Sequence, residues 1–205
     1  MRLALLEDRL EEGERLSLDA VPRVVYVVSG RVEFESVAFG DDQAWYDPDA
    51  YAIEAASPAR LWRWELRSDA TASDPRRTTL KLDLPVELPA REILLRCDRV
   101  DFPPGGVAYT HTHQGPGIRV LLRGRFRVET DGRVITLAPG EPWFERGPDP
   151  VYAEAVGDEP ASFVRVMVLP AALRGASSIR YVTPEDQARP KSQTYTVFVD
   201  APVKA

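Results

Sequence analysis

The sequence predicts an all-β fold made of two small barrels in tandem, with few or no long helices. Three observations support this prediction: frequent turn residues, short stretches of alternating polarity, and an internal repeat. The chain has 205 residues, of which 18 are Pro and 13 are Gly, and this density of turn-forming residues favours many short elements. Hydrophobic residues make up 44% of the chain, which is enough for a packed core.

Short strands are clearest in the second half of the chain. Residues 125–130 alternate between polar and apolar, Asp131 and Gly132 then supply a hairpin turn, and residues 133–137 resume the strand. Residues 163–169 show the same alternation. No segment longer than two turns has a convincing helical period. Short strands separated by regular turns indicate a β-barrel or a β-sandwich.

The internal repeat consists of three matches in the same order along the chain. The stretch that begins at Arg23 resembles the stretch that begins at Ile118, since both are apolar runs that end in Gly-Arg. Gly30 in the first stretch aligns with Gly124 in the second, at an offset of 94 residues. Two flanking matches have offsets of 90 and 98, so the offset drifts as small loop insertions would make it drift.

The repeat gives the expected domain limits. The first repeat spans residues 1–67, a linker with an edge strand spans 68–89, and the second barrel spans 90–172. A tail, 173–205, contains a further strand. A strand outside the repeat must pair with something, so we expect it to cover a sheet edge on its own subunit or on a partner.

Charge and composition narrow the possible partners and locations. The net charge of −6 argues against nucleic acid, which requires a basic face. Cys97 is the only cysteine, so an intrachain disulfide is excluded. The N-terminal apolar run breaks at Glu7, unlike a signal peptide, and no window is long enough to span a membrane. We therefore expect a cytoplasmic protein with no membrane partner.

The two histidines of the chain, His111 and His113, are the strongest candidates for a functional site. Residues i and i+2 of a strand point to the same face, so the two imidazoles lie side by side, as a pair of metal ligands requires. The alternative is a pair of solvated or hydrogen-bonded histidines on a strand.

The residues around these histidines resemble the first motif of the cupin family. That motif is Gly, five residues, His-x-His, three or four residues, Glu, six residues and Gly. The sequence keeps these spacings with Gly106, His111, His113, Gly117 and Gly124. Gly117 therefore stands where the motif has Glu, and Val151 stands where the second motif has His. The resemblance covers roughly 70 residues of the second repeat and implies two of the usual four metal ligands.

The resemblance implies two cupin-type jelly-roll barrels in tandem, of which the C-terminal one holds the pocket. In the first repeat the His-x-His position falls near Leu18, Asp19 and Ala20, so that barrel is expected to be a degenerate scaffold. Cupin-like sheets often pair at their edges, and the tail offers a spare strand, so we expect a homodimer.

Glu145 has two possible roles, which stay open at this stage. If position 117 faces inward, strand parity places Arg119 inward as well, and Trp143 and Glu145 share the inward face of a later strand. Glu145 then completes a site of two His and one carboxylate for Fe, Mn, Ni or Zn. Alternatively it is the ion-pair partner that the buried Arg119 guanidinium needs.

Four further residues are candidates for substrate binding. Arg119 can clamp a substrate carboxylate, and Gln114 is adjacent to the histidines. Tyr109 and Trp143 can form flat walls of the pocket. The alternatives are a turn role for Gln114 and ordinary core packing for the two aromatic residues.

The resemblance implies a metal-dependent enzyme that acts on a small acidic or aromatic molecule by dioxygenation, isomerisation or lyase chemistry. The alternative is a non-catalytic small-ligand-binding or structural cupin with a vestigial metal site. The fold alone does not choose between them, because one fold hosts many functions.

Overall fold

The structure is a computed structural model that describes residues 1–69 and 76–203. Residues 70–75, part of the expected linker, lie outside the described residues. The chain divides into a first unit, Met1–Val86, and a second unit that begins at Glu87. Nearly all regular elements are strands in antiparallel sheets, so the predicted all-β fold is confirmed. No helix among the described residues is long and apolar enough to cross a membrane.

The first unit is formed by two antiparallel sheets, with strand orders β6-β3-β8-β1-β9 and β2-β7-β4-β5. Its strands are β1 (Arg2–Leu10), β2 (Arg15–Leu18), β3 (Arg23–Ser29), β4 (Val32–Phe34), β5 (Val37–Phe39), β6 (Gln43–Asp47), β7 (Tyr51–Ala55), β8 (Ala59–Arg67) and β9 (Thr78–Pro85). The edge strand expected in the linker is β9, which pairs with β1 at the edge of its sheet.

The second unit also has two antiparallel sheets, with strand orders β15-β12-β17-β10-β19 and β14-β13-β16-β11-β18. Its strands are β10 (Ile93–Phe102), β11 (Val107–His113), β12 (Gly117–Arg123), β13 (Phe126–Thr130), β14 (Arg133–Leu137), β15 (Pro142–Glu145), β16 (Val151–Ala155), β17 (Ala161–Pro170), β18 (Ile179–Tyr181) and β19 (Thr194–Pro202). A 3-10 turn, Ala171–Leu173, and a short helix, α1 (Pro184–Ala188), precede β18 and β19 respectively.

The core of the second unit lies between its two sheets. Strand alternation turns one apolar face of each sheet inward, and the inward side chains meet in one buried cluster. Aromatic rings fill much of it, since Phe102, Phe126, Trp143 and Phe163 contact one another.

The C-terminal segment completes both sheets of this unit. β19 pairs with β10 along most of its length, so the tail strand covers a sheet edge within its own unit. β18 pairs with β11 directly beside the histidines, where His111 is opposite Tyr181 and His113 is opposite Ile179.

A β-bulge orients the histidine strand. The pairing of β11 with β16 is regular at Ala108, is interrupted at Tyr109 and Thr110, and resumes at His111. The irregularity shifts the alternation, so that Ala108, His111 and His113 are all buried. Both imidazoles therefore point into the core rather than to solvent.

Candidate functional site

A small inner cavity of about 20 Å³ lies beside the histidines in the core of the second unit. This volume holds about one water-sized group. Its polar lining consists of His111, His113, Arg119, Glu145 and Arg165, and its apolar lining includes Trp143, Val151 and Phe163. The inward orientations of Arg119, Trp143 and Glu145 agree with strand parity.

Hydrogen bonds determine which nitrogen of each imidazole is free. His111 Nδ1 is 2.7 Å from the carbonyl oxygen of Tyr109, and because a carbonyl only accepts, Nδ1 carries the proton. The Nε2 lone pair of His111 is therefore available. His113 Nε2 is 3.4 Å from Nη1 of Arg165, which can only donate, so the proton of His113 lies on Nδ1, 3.3 Å from Ser178 Oγ.

Both histidines are neutral at neutral pH. Burial lowers the pKa of His111, and the nearby arginines lower it further, although Glu145 and the Tyr109 carbonyl oppose the shift. Burial lowers the pKa of His113 well below its usual value, and Arg165 and Arg119 add to this effect. Each imidazole therefore offers a lone pair rather than a positive charge.

Glu145 forms an ion pair with Arg119. Glu145 Oε2 is 2.6 Å from Arg119 Nη2, and Glu145 Oε1 accepts a hydrogen bond from Trp143 Nε1 at 2.8 Å. Arg119 Nη1 donates to the Gly117 carbonyl at 2.6 Å. Burial lowers the pKa of Arg119 to about 10 in spite of Glu145, so the guanidinium is still charged at neutral pH. Of the two roles left open for Glu145, the structure contains the ion pair.

The backbone around Gly117 leaves no room for the carboxylate that the cupin motif has there. A Cβ at this position would lie 2.6 Å from the Val166 carbonyl oxygen and 2.9 Å from Met167 Cγ. It would also lie 3.1 Å from Arg119 Nη1, so the Arg119 guanidinium lies close to the position of the missing side chain.

Arg165 is a member of the site that the sequence analysis did not single out. Its Nε and Nη2 pair with the two carboxylate oxygens of Asp98 at 2.6 and 3.0 Å, and its Nη1 reaches His113. Asp98 on β10 is directly opposite Arg165 on β17, which fixes the pair. A detectable signal was present: Arg165 is the one charged residue in the apolar run 163–169.

The arrangement does not fit a resident divalent metal as it stands. Among residues 1–69 and 76–203, no group of three or more His, Cys, Asp or Glu side chains is placed to hold a metal ion. A cation between the imidazoles would lie next to the Arg165 guanidinium, and Glu145 would have to leave Arg119 to bind it. The metal would then be repelled by the nearby Arg165 guanidinium and by an Arg119 guanidinium that has lost its counter-charge.

A larger outer cavity of about 470 Å³ adjoins the inner one. Arg165, Ile179 and Tyr195 line both cavities and form the wall between them. Most of the remaining lining comes from the C-terminal segment: Gly175, Ala176, Ser177, Ser178, Tyr181, Lys191, Gln193, Val197 and Asp200. The outer volume lies in the range of small-molecule sites, about 300–1,000 Å³.

Two of the expected substrate-binding residues line neither cavity. The bulge turns the Tyr109 side chain away from the core, where its ring contacts Arg189 and Lys191. Gln114 follows the end of β11, and its Oε1 accepts a hydrogen bond from Arg180 Nη2 at 2.5 Å. Trp143 does line the inner cavity, where it also holds Glu145.

Comparisons with known proteins agree with this architecture. Residues 98–168 match the family model of the cupin domain, and the first unit lies outside this match. A search of curated proteins finds no match.

Several solved structures are similar in fold. A cupin 2 conserved barrel domain protein from Leptotrichia buccalis is 16% identical, with 81% of this chain and 82% of that chain covered and a TM-score of 0.51. AerE from Microcystis aeruginosa is 9% identical, with 82% and 88% covered and a TM-score of 0.61. A deletion mutant of oxalate decarboxylase OxdC from Bacillus subtilis is 16% identical, with 92% and 73% covered and a TM-score of 0.64. Residues 98–168 are therefore similar to a cupin domain, and the chain has a cupin-type fold.

Proposed function

We propose that the second unit binds a small acidic or aromatic molecule and that the buried histidine pair contacts its polar end without a resident metal. The observation that carries the proposal is the contact between the two cavities. The outer cavity is large enough for an organic molecule, and it meets the inner cavity at Arg165, Ile179 and Tyr195. A ligand group that passes this wall reaches the imidazoles.

The charges of the inner site favour an uncharged polar group at the histidines. Arg119 is paired with Glu145, Arg165 is paired with Asp98, and both imidazoles are neutral, so these groups carry no net charge. The free Nε2 of His111 can accept a hydrogen bond from a ligand hydroxyl. It can also accept a proton: burial and the two arginines lower the His111 pKa, and Glu145 offsets part of this effect by stabilising the positive charge that would form.

This base points to isomerase or lyase chemistry among the reactions that the cupin fold hosts. Many isomerisations and eliminations begin with transfer of a proton from the substrate to a positioned base. In the proposal, the His111 lone pair takes the proton, and the electron pair of the broken bond stays on the substrate. A non-catalytic binding protein would use the same cavities without this transfer.

A second candidate function is a metal-dependent enzyme with Fe, Mn, Ni or Zn held by His111, His113 and Glu145. The observation that favours it is the hydrogen bond from His111 Nδ1 to a backbone carbonyl, which is typical of metal-ligating histidines. Glu145 Oε2 is also only 3.6 Å from His113 Nε2. In this candidate function, Glu145 breaks its ion pair with Arg119 and coordinates the metal instead.

Ligand binding with and without a chelator separates the two candidates. Protein purified without an affinity tag is titrated with a panel of small carboxylic acids, phenols and alcohols, in EDTA and in the presence of each metal. NMR of the backbone amides of residues 177–179 and 195 reports occupancy of the cavities. We expect binding in EDTA with no added affinity from metal. Binding that appears only with a metal supports the second candidate and contradicts the first.

A further inference from the structure

We propose that the outer cavity accepts an aromatic carboxylate that also carries an O–H or N–H donor, and that the C-terminal segment, residues 174–202, sets this specificity. The inference rests on the proposed function, since it names the ligand class of the same site. It assigns recognition to residues that follow the matched cupin domain at 98–168.

A network of hydrogen bonds ties the C-terminal wall of the cavity to the neighbouring strands. Arg96 pairs through Nε and Nη2 with Asp200, both at 3.0 Å, and donates to the carbonyls of Leu173 and Ala176 at 2.6 Å. Asp200 Oδ2 accepts in turn from the Gly175 amide at 2.6 Å. This clamp ties the loop before β18 to both β10 and β19, so the cavity is formed before a ligand binds.

The charge of the cavity favours an anionic ligand group near Lys191. Arg96 is neutralised by Asp200, and Arg165 is neutralised by Asp98. Lys191 has no carboxylate within ion-pair distance among the described residues. Its ammonium contacts the Asp186 carbonyl and lies 3.8 Å from the centre of the Tyr181 ring. A ligand carboxylate would give Lys191 the counter-charge that the fold does not supply.

A buried acceptor in the same cavity requires a donor. Gln193 is only 7% exposed, and its Nε2 donates to the Tyr195 hydroxyl at 3.2 Å. Its Oε1 has no hydrogen-bond partner within residues 1–69 and 76–203. Because an unpaired buried carbonyl is costly, a ligand O–H or N–H that reaches Oε1 would be favoured over an isosteric ligand without a donor.

The remaining walls suit a flat apolar body. The phenol rings of Tyr181 and Tyr195 and the aliphatic side chains of Ile179 and Val197 line the cavity. Tyr195 and Val197 are partly exposed, and burying them against a ring would remove apolar surface from water. These walls, the Lys191 ammonium and the Gln193 Oε1 acceptor together suit an aromatic carboxylic acid that also carries a hydrogen-bond donor.

The test uses matched ligands and matched variants of the full-length protein. The probes are para- and meta-hydroxycinnamate, their methoxy analogues, which lack the donor, and their amides, which lack the charge. Affinities are measured by calorimetry in EDTA for the wild type, Lys191→Met and Gln193→Met. Arg189→Met is the control, because it removes a positive charge from the same segment at a residue that does not line the cavity.

We expect Lys191→Met to weaken binding of a hydroxycinnamate about three- to tenfold and to leave its amide unchanged. We expect Gln193→Met to abolish the preference for hydroxy over methoxy probes, and Arg189→Met to leave all affinities unchanged. Circular dichroism confirms that each variant is folded.

Equal loss for the acid and the amide in Lys191→Met, or a hydroxyl preference that survives Gln193→Met, overturns the assignment. Failure of all cinnamates to bind the wild type also overturns it. If other small molecules still bind the cavity, the proposed function stands and only this inference fails. If nothing in the wider panel binds, both fail.

Discussion

At the scale of single residues, Gly117 decides the character of the site. Its φ is not in the left-handed region, so glycine is required by space rather than by backbone conformation. A Cβ would press on the backbone of β17, and Arg119 donates to the Gly117 carbonyl. Where the cupin motif has a carboxylate, this chain therefore has the closely packed backbone of β17 and the Arg119 guanidinium.

Restoring the motif residue should damage the fold. We expect Gly117→Ala to lower the free energy of unfolding by about 1–3 kcal/mol through overpacking, and Gly117→Glu to lower it by more. Urea denaturation measures both values. Gly40→Ala is the control, since its Cβ would lie 3.9 Å from the nearest atom. A stable Gly117→Glu protein that binds a metal stoichiometrically would contradict this description of the site.

The two histidines should remain neutral under mildly acidic conditions. Their pKa values lie below the ordinary 6.5, mainly because they are buried. As the pH falls below about 6.5, the unfolded chain takes up protons at these histidines and the folded chain does not. Their contribution to stability is therefore present above this pH and is lost progressively below it.

NMR titration of the two imidazoles checks this prediction directly, because an untagged chain has no other histidine signals. We expect both midpoints below the ordinary value, with His113 the lower of the two. A midpoint above the ordinary value for either imidazole would show that the site is open to solvent or carries more negative charge than the structure describes.

At the scale of elements, a buried ion network joins the strands of one sheet in the first unit. The Asp8 carboxylate on β1 accepts hydrogen bonds from Nε and Nη2 of Arg63 on β8, at 2.8 and 3.1 Å. It also accepts one from the Thr78 hydroxyl on β9 at 2.6 Å. Arg63 also contacts Glu65, which pairs with the fully buried Arg23. These charges satisfy one another within the first unit; that the first barrel is a scaffold stays a prediction.

Removing one member of this network should destabilise the first unit strongly. Asp8→Ala leaves the Arg63 guanidinium buried without its main partner, and we expect a loss of about 3–5 kcal/mol in the free energy of unfolding. Glu54→Ala is the matched control, since its pair with Arg15 is exposed and 3.9 Å long and should contribute less than about 1 kcal/mol. Similar losses for both variants would show that the network is not a structural support.

Strand alternation predicted much of the candidate site. It correctly placed Arg119, Trp143 and Glu145 on inward faces, because parity along a strand is a local property. Two features were not predictable in this way. The bulge in β11 reversed the orientation of Tyr109, and the pairing of Arg165 with Asp98 depends on the register of strands that are far apart in sequence.

At the scale of the whole molecule, the C-terminal segment is part of the second unit. The sequence suggested that its strand covers a sheet edge, and β19 does so. The sequence did not indicate that β18 would pair beside the histidines or that residues 175–200 would form a cavity. Neither feature can be recognised from composition, because both the β18 pairing and the cavity depend on how the chain folds back onto the second unit after β17.

The Arg96–Asp200 clamp should hold this segment in place. We expect Asp200→Ala to lower the free energy of unfolding by about 3 kcal/mol, because the buried Arg96 loses its anion. Hydrogen exchange at residues 175–179 should accelerate and ligand affinity should fall, whereas Asp186→Ala, in α1, should change neither. Unchanged exchange in the loop would show that the clamp does not order the cavity. The homodimer stays a prediction, which sedimentation equilibrium measures.

In our proposal the second unit binds a small organic molecule beside a histidine pair that holds no resident metal. A crystal structure of the untagged protein, grown in EDTA with para-hydroxycinnamate, tests it most directly. We predict ligand density in the outer cavity, in contact with Lys191 and Gln193, and the Glu145–Arg119 ion pair intact. A metal within about 2.0–2.2 Å of both imidazoles and Glu145 would contradict it. An outer cavity that stays without ligand both in these crystals and in crystals grown with the wider panel of small carboxylic acids, phenols and alcohols would also contradict it.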